Sequence, residues 1–362
     1  MIDESLGPAA SILHLDNNEY VLLSSGQEVD IFHNLQLTKI DDDLNKIWTK
    51  SYPRPLQNFS KQVLKTEDGF ILLGSGTESD LGSSDLDIFI IKTDEQGEEI
   101  WSKYYGGEAT DRGEAIIKLE DGGFIILGFS FANNLARNRL IIKIDANGEE
   151  LWSKENESNF NNEGWSIAAA GNNEYVLMGT NISADSTKTE IEIERIDVEG
   201  NSIWIKEYES VDPFSFDARI IKSNEGGFML IATQASGLNN NDSDMLILKI
   251  DEFGDKEWSK AYGGDKGEDG KAVLQTSDNN YVLLGFTGSF GNGSLDILVV
   301  KVDQLGEQLW ARSFGGPSFE YGLDLIENDN GEILICGGIE GNSSNTDYDL
   351  LLLKLDSNGN PI

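Results

Sequence analysis

Cysteine, histidine, proline and positive charge are all scarce in this 362-residue chain. The lone cysteine, Cys336, forms no internal disulfide and brings no thiolate cluster. Within the apolar run ILICGG it reads as a small core residue. His14 and His33 are the only histidines, so zinc finds no tetrahedral set of nitrogen and sulfur ligands. Nucleophilic catalysis is short of a base for the same reason. His14 falls in a predicted inner strand, and His33, in a predicted loop, is answered by no particular serine. Against 64 acidic residues stand 27 Lys and Arg, a formal net charge of −37. That field repels nucleic acid and anionic membranes, and leaves cations, basic proteins and neutral sugars as compatible partners. No run reaches membrane-spanning length, so no insertion into a membrane is expected. The opening residues MIDESLGPAAS lack the basic-then-apolar pattern of a leader. Helical periodicity is missing throughout.

What is present is a repeat. Trp48, Trp101, Trp152, Trp204, Trp258 and Trp310 are spaced by 53, 51, 52, 54 and 52 residues. Each follows an aspartate by seven positions (Asp41, Asp94, Asp145, Asp197, Asp251, Asp303), and Asp356 with Gly359 continues the series. Each unit carries four strand signals, A to D. In the third, strand A is expected at Glu114–Glu120, followed by the turn Asp121-Gly122-Gly123, strand B (FIILGFS), a polar loop, strand C (RLIIKID), an Asp145-Ala-Asn-Gly148 turn and strand D (EELWSKE). The A–B turns carry Asn or Gly, among them Asn17-Asn18, Gly122-Gly123, Asn172-Asn173 and Asn279-Asn280. Two-residue hairpins need the positive φ that these residues tolerate. The C–D turns read D-x-x-G except in the first unit, where Leu44 replaces glycine. Five of the six prolines fall between units, where they disturb no ladder.

Units of about 50 residues with four antiparallel strands are propeller blades. The expectation is an all-β fold, a single seven-bladed β-propeller over 1–362 with repeats near 6–53, 54–106, 107–157, 158–210, 211–263, 264–315 and 316–362. Blade 7 lacks a full outer strand: aligned on strand A, only a stub at Met1–Ser5 can pair there. An open outer edge of that kind is compatible with a monomer or with edge-mediated assembly.

The A-to-D order with a tryptophan on the last strand resembles kelch-type blades. The K-x-D-x-x-G-x-x-x-W run is similar to the tryptophan-docking motif of quinoprotein propellers, one residue shorter between Asp and Gly. The whole chain resembles the repeat propellers of secreted and surface-anchored bacterial proteins. The resemblance implies that Trp48, Trp101, Trp152, Trp204, Trp258 and Trp310 lock blade to blade and are structural, and that the protein works outside the cell or on its surface. A quinone cofactor is not implied: those relatives generally have eight blades and often adjacent cysteines. No cofactor is expected.

Loops D–A and B–C are long and share one face, such as Ser75–Asp87 and Thr233–Met245; binding is expected there. Residues that break the repeat are the candidate ligand contacts. They are Trp165, the tryptophan off the ruler; Phe160, Phe214, Phe216, Phe319 and Tyr321 in D–A loops; Phe131 and Phe290 in B–C loops; His33; Asp111; and the cations Arg112, Arg137 and Arg139. Aromatics beside Asn and Asp suit sugar stacking or a protein hot spot. Two periodic series read as scaffold. One is Lys39, Lys92, Lys143, Arg195, Lys249, Lys301 and Lys354, expected to pair locally; the other is Asn34, Asp87, Asn138, Glu190, Asp244, Asp296 and Asp349, expected to cap the B–C loops. Calcium is a weak possibility at Asp242, Asp244, Asp347 and Asp349, none of which fits an EF-hand. The function expected is non-enzymatic recognition of a protein or carbohydrate. A carbohydrate-active hydrolase or lyase using acids of this face, and a structural subunit of a surface assembly, are the alternatives.

Overall fold

The structure is a computed structural model. It describes residues 2–3, 7–27, 33–53, 58–77, 85–131, 136–156, 161–182, 189–210, 218–235, 243–340 and 348–362. Among these there is no α-helix; short strands follow one another along the chain. They form seven consecutive four-stranded antiparallel sets, two of them joined by a single parallel pairing, Asn138 with Asn162. This is an all-β propeller, and the repeats of the sequence are its blades.

Blade 3 shows the construction. Strand A is Asp111–Lys118, B is Phe124–Phe131, C is Arg137–Ile144 and D is Glu150–Glu155. Strand A begins three residues before the expected Glu114. The Asp111 N–H donates to the Leu86 carbonyl (2.6 Å), and the strand runs on through a bulge between Gly113 and Ala115. The same bulge recurs at Gly164/Ser166, Gly270/Ala272 and Gly322/Asp324. A bulge re-aims the side chains beside it. Asp111 and Arg112, read from sequence as loop, therefore sit on the first residues of an inner strand.

The turns follow their chemistry. Asn17, Asn18, Asn172 and Asn173 all have positive φ (54–64°). At the C–D turn of blade 2 the Asp94 carboxylate accepts the N–H groups of Gln96 (2.9 Å) and Glu98 (2.8 Å), and Gly97 stands at φ +77°. Leu44 takes the same left-handed conformation, φ +63°, an uncommon one for a bulky side chain.

That C–D glycine also receives a tryptophan. A Cβ on Gly148 would lie 2.8 Å from the indole of Trp101, and the same approach pairs Trp48 with Gly97, Trp152 with Gly200, Trp258 with Gly306 and Trp310 with Gly359. Around the Trp101 contact, Tyr105 donates its hydroxyl to the Gly148 carbonyl (2.8 Å) and Lys103 pairs with Glu149 (2.6 Å). Each of these D strands is thus fastened to the turn of the next blade. Leu44 instead packs against the buried cluster that includes Ile12, Tyr20 and Leu350; a side chain at this turn and a docked indole exclude one another.

The contacts group into two compact units. One comprises Met1–Leu22, Lys39–Ile47 and Ser210–Ile362, the other Leu23–Thr38 and Trp48–Glu209. In the second unit a representative core joins Ile71, Leu73, Ile88 and Ile90 of blade 2 to Ile116, Ile126 and Ile142 of blade 3. In the first unit Val282, Leu284 and Val299 of blade 6 meet Leu325, Ile333 and Ile335 of blade 7. Strands B and C are apolar on both faces because a blade is covered on each side. Blade 7 has strands A (Glu320–Glu327), B (Ile333–Glu340) and C (Tyr348–Leu355). Its outer edge is covered in two pieces: Ile2 and Asp3 pair with Leu351 and Leu350, and Pro361 bridges to Leu355. Among the described residues the outer strand is the two-residue piece Ile2–Asp3, within the Met1–Ser5 stub that the alignment predicts.

Candidate functional site

The periodic cations are engaged within the blades. Lys39 meets Glu19 (2.6 Å), Lys143 meets Asp121 (3.8 Å), Arg195 meets Glu174 (2.7 Å), Lys301 meets Asp278 (2.7 Å) and Lys354 meets Glu332 (2.9 Å), with a second contact from Lys354 to Asp42 of blade 1 (2.7 Å). Lys92 pairs with Asp68, and Lys249 bonds the Gly226 carbonyl (2.6 Å). In most blades the residue from strand C thus reaches the A–B turn and ties it down. None of these cations is at the face of the long loops.

Strands A begin, and strands B end, at that other face. In the second unit a cavity of about 220 Å3 opens there, lined by Ser25, Phe59, Ser60, Lys61, Ser75 and Arg112. Ser25 and Ser75 end strands B of blades 1 and 2; Phe59, Ser60 and Lys61 begin strand A of blade 2 (Asn58–Thr66); Arg112 begins strand A of blade 3. The wall is hydrogen-bonded across strands. Ser25 Oγ donates to Ser60 Oγ (3.0 Å) and accepts the Ser60 N–H (2.9 Å), and the Gly113 N–H donates to Ser75 Oγ (3.1 Å).

The two cations of this cavity differ. Lys61 is paired with the buried carboxylate of Glu114. The Arg112 guanidinium lies over the Phe59 ring, 5.5 Å from its centroid, and its Nε is buried without a hydrogen-bond partner among the described residues. A buried guanidinium N–H left unpaired is costly, and it is left so in a chain with 64 acidic residues. Phe59, 38% exposed, adds an open aromatic face to the same wall. The cavity therefore combines an aromatic platform, hydroxyls and a guanidinium with donor capacity to spare. Chemically, such a set suits a carboxylate or sulfate beside an apolar sugar face.

The other candidate residues lie elsewhere. Trp165 is buried, donates its Nε1 hydrogen to Thr180 Oγ1 (3.0 Å) and meets Phe129 edge-on at 5.7 Å. It leaves little face for a ligand. Arg137 pairs with Glu163 (2.6 Å) and lies over Phe129 and Phe131. Burial still raises the Glu163 carboxyl, although the Arg137 charge pulls the other way. Arg139 is 2% exposed and clamped between Glu192 (2.5 Å) and Glu194 (3.2 Å). Asp111 is buried, which raises its carboxyl; Ser130 and the Gly107 N–H (2.7 Å) bond to it. Tyr321 joins Phe319 and Tyr348 in a cluster of edge-on rings 5.4–6.1 Å apart. Phe290 is exposed, and Phe131 ends its strand B rather than lying in a loop. His33 is the first residue of strand C in blade 1, His33–Ile40. Phe160, Phe214, Phe216, Asp242 and Asp347 lie outside the described residues. Asp244 and Asp349 begin or adjoin strands C and have partners of their own. No group of three or more His, Cys, Asp or Glu able to hold a metal occurs among the described residues. No helix among them is long and apolar enough to cross a membrane. Phe59 and the unpaired Arg112 Nε were the signals sequence reading missed: Phe59 follows a proline-rich junction, and nothing in its pattern marks it as the ring beneath Arg112.

No protein-family model matches the sequence, and no curated protein matches it. Solved structures do match in shape. A polysaccharide lyase, an ulvan lyase bound to -[GlcA(1-4)Rha3S]-, superposes with a TM-score of 0.64 at 7% identity, covering 99% of this chain and 96% of its own. The WD40 domain of Neurospora crassa Pan2 gives 0.58 at 11%, covering 96% and 89%. The propeller domain of the Trilobed protease from Pyrococcus furiosus, described as having an open velcro topology, gives 0.52 at 10%, covering 97% and 94%. At these identities the likeness defines the class, a β-propeller, and no more.

Proposed function

We propose that this propeller is a non-enzymatic recognition module that binds an acidic carbohydrate at the Arg112 cavity, outside the cell or on its surface. The carrying observation is the buried, unpartnered Nε of Arg112 stacked on Phe59 in a protein of net charge −37. A carboxylate or sulfate ester accepts from Arg112 while the sugar ring lies on Phe59, with Ser25, Ser60 and Ser75 at hand for hydroxyls. The overall acidity disfavours polyanions in bulk and limits binding to a locally seated group, which makes the interaction selective rather than diffuse. A propeller scaffold is compatible with such a ligand, since one structural neighbour is bound to a glucuronate-containing sulfated saccharide. The extracellular setting rests on the resemblance to surface repeat propellers.

The test is an array of uronate-containing, sulfated and neutral oligosaccharides with acidic peptides alongside, probed with wild type and Arg112→Ala. Charged hydrogen bonds contribute roughly 1.5–3 kcal/mol, so loss of Arg112 weakens acidic glycans about 10- to 100-fold. Binding confined to peptides, or glycan binding indifferent to Arg112, overturns the assignment.

A further inference from the structure

The start of strand A in blade 7 breaks the repeat at a pair of acids. At three blade junctions, an acid at the start of strand A faces an acid at the start of strand C of the preceding blade, across the glycine that follows strand D. The pairs are Asp111 with Asp87 across Gly106, Glu268 with Asp244 across Gly263, and Glu320 with Asp296 across Gly315. Like charges so placed need donors. Asp111 has Ser130, its partner on strand B. Glu268 has Thr287, likewise its partner on strand B, whose hydroxyl donates at 2.6 Å, together with the N–H groups of Ser289 (3.1 Å) and Gly264 (2.6 Å). The strand B partner of Glu320 is Ile339, which has no hydroxyl.

The consequence is visible in the hydrogen bonds. Asp296 and Glu320 are 2% and 3% exposed. Asp296 Oδ2 caps its own loop by accepting the Gly293 N–H (3.1 Å), and Glu320 receives a backbone bond from Gly316. Asp296 Oδ1 and Glu320 Oε2, both buried, have no hydrogen-bond partner among the described residues. These orphan oxygens flank one place: a Cβ on Gly315 would lie 2.1 Å from Asp296 Oδ1 and 2.7 Å from Glu320 Oε2. An uncompensated buried carboxylate pair is expensive, and something must sit between the two.

We propose that Asp296 and Glu320 form a binding site for a hard divalent cation of the calcium type. Both donors are carboxylate oxygens, which suits calcium over zinc, and calcium's flexible coordination accepts the backbone carbonyls of the Gly315–Ser318 turn and water as its other ligands. A Cβ on Gly293 would lie 2.4 Å from the Ser318 carbonyl, 2.6 Å from that of Gly316 and 3.6 Å from Asp296 Oδ2, so both carbonyls lie near the Asp296 carboxylate, on the side of its capped oxygen. The site is independent of the Arg112 cavity and belongs to the other compact unit. Its ion would fix the entry of strand A beside the Phe319–Tyr321–Tyr348 rings.

The competing occupant is a single shared proton. Calorimetric titration with CaCl2, and melting with CaCl2 or with NaCl at matched ionic strength, separate the two. Wild type is expected to bind one calcium tightly above any diffuse surface binding and to melt several degrees higher in calcium. Glu320→Gln should lose that site, weakening it by an order of magnitude or more, since affinity follows ligand charge. Ile339→Thr restores the hydroxyl found in the other copies; it should fold normally and reduce the calcium-dependent gain in melting temperature. The proposal is overturned if calcium leaves the wild-type melting temperature unchanged, or if the shift persists undiminished in both variants.

Discussion

Removing the indole of Trp101 and adding a methyl to Gly148 disturb the same contact from opposite sides. Trp101 is half-buried against the isoleucine core shared by blades 2 and 3, with Lys103 over its ring. Deleting a core tryptophan side chain destabilises by about 3–5 kcal/mol, and partial exposure here favours the lower end. Gly148→Ala meets two penalties: a left-handed backbone at φ +77° and a Cβ 2.8 Å from the indole. The first costs roughly 1–2 kcal/mol and the overpacking roughly 1–3 kcal/mol. The double variant keeps the backbone penalty and loses the clash, because the ring is gone. It should therefore be more stable than the sum of the singles by about 1–2 kcal/mol, the size of coupling expected between touching residues. Urea melts of all four proteins, compared by midpoint at constant slope, give that number. Additivity within about 0.5 kcal/mol would mean the indole and the turn do not bear on one another, and the blade-fastening account would fail.

Two further outcomes follow from buried groups. Trp165→Ala should destabilise by about 3 kcal/mol or more, since it empties a core contact with Phe129 and frees Thr180; glycan affinity should stay at wild-type level, and a loss of binding at preserved fold would return Trp165 to the site. Burial alone would raise the Asp278 carboxyl, but hydrogen bonds from Lys301 and Thr276 outweigh it and hold it well below the carboxylate range. A depressed folded value stabilises above the unfolded one and is lost as pH falls through the folded value. Asp278→Asn should thus lower the melting temperature at neutral pH, with the gap to wild type closing below about pH 4; a gap that does not depend on pH contradicts this.

The architecture was open to sequence reading because its signals are local and repeated. Asn17-Asn18 and Asn172-Asn173 announce positive φ by themselves, Asp94 and Gly97 close their turn by themselves, and the tryptophans count the blades. The stub at Ile2–Asp3 followed from counting residues against strand A. The site was harder. Trp165 stood out because it breaks the ruler, yet uniqueness in sequence does not distinguish an exposed ring from one that fills a gap beside Phe129. Arg137 and Arg139 looked like spare cations because their partners, Glu163 and Glu192, are 26 and 53 residues away. Arg112 was legible as a scarce cation, but its value lies in what fails to meet it, and an unpaired Nε has no sequence signature. The polar residues at the strand C entries looked uniform; Asp296 is set apart by its neighbour Glu320 on strand A, whose strand B partner is Ile339 where Glu268 has Thr287 and Asp111 has Ser130.

The most direct test of the account is the affinity of a sulfated, glucuronate-containing oligosaccharide for wild type, Arg112→Lys and Arg112→Ala, measured by calorimetry at two salt concentrations. The account predicts binding to wild type, an intermediate value for lysine because it keeps the charge but not the planar fork, and a loss of about 10- to 100-fold for alanine. Equal affinity across the three proteins, or no glycan binding by the wild type, would contradict it.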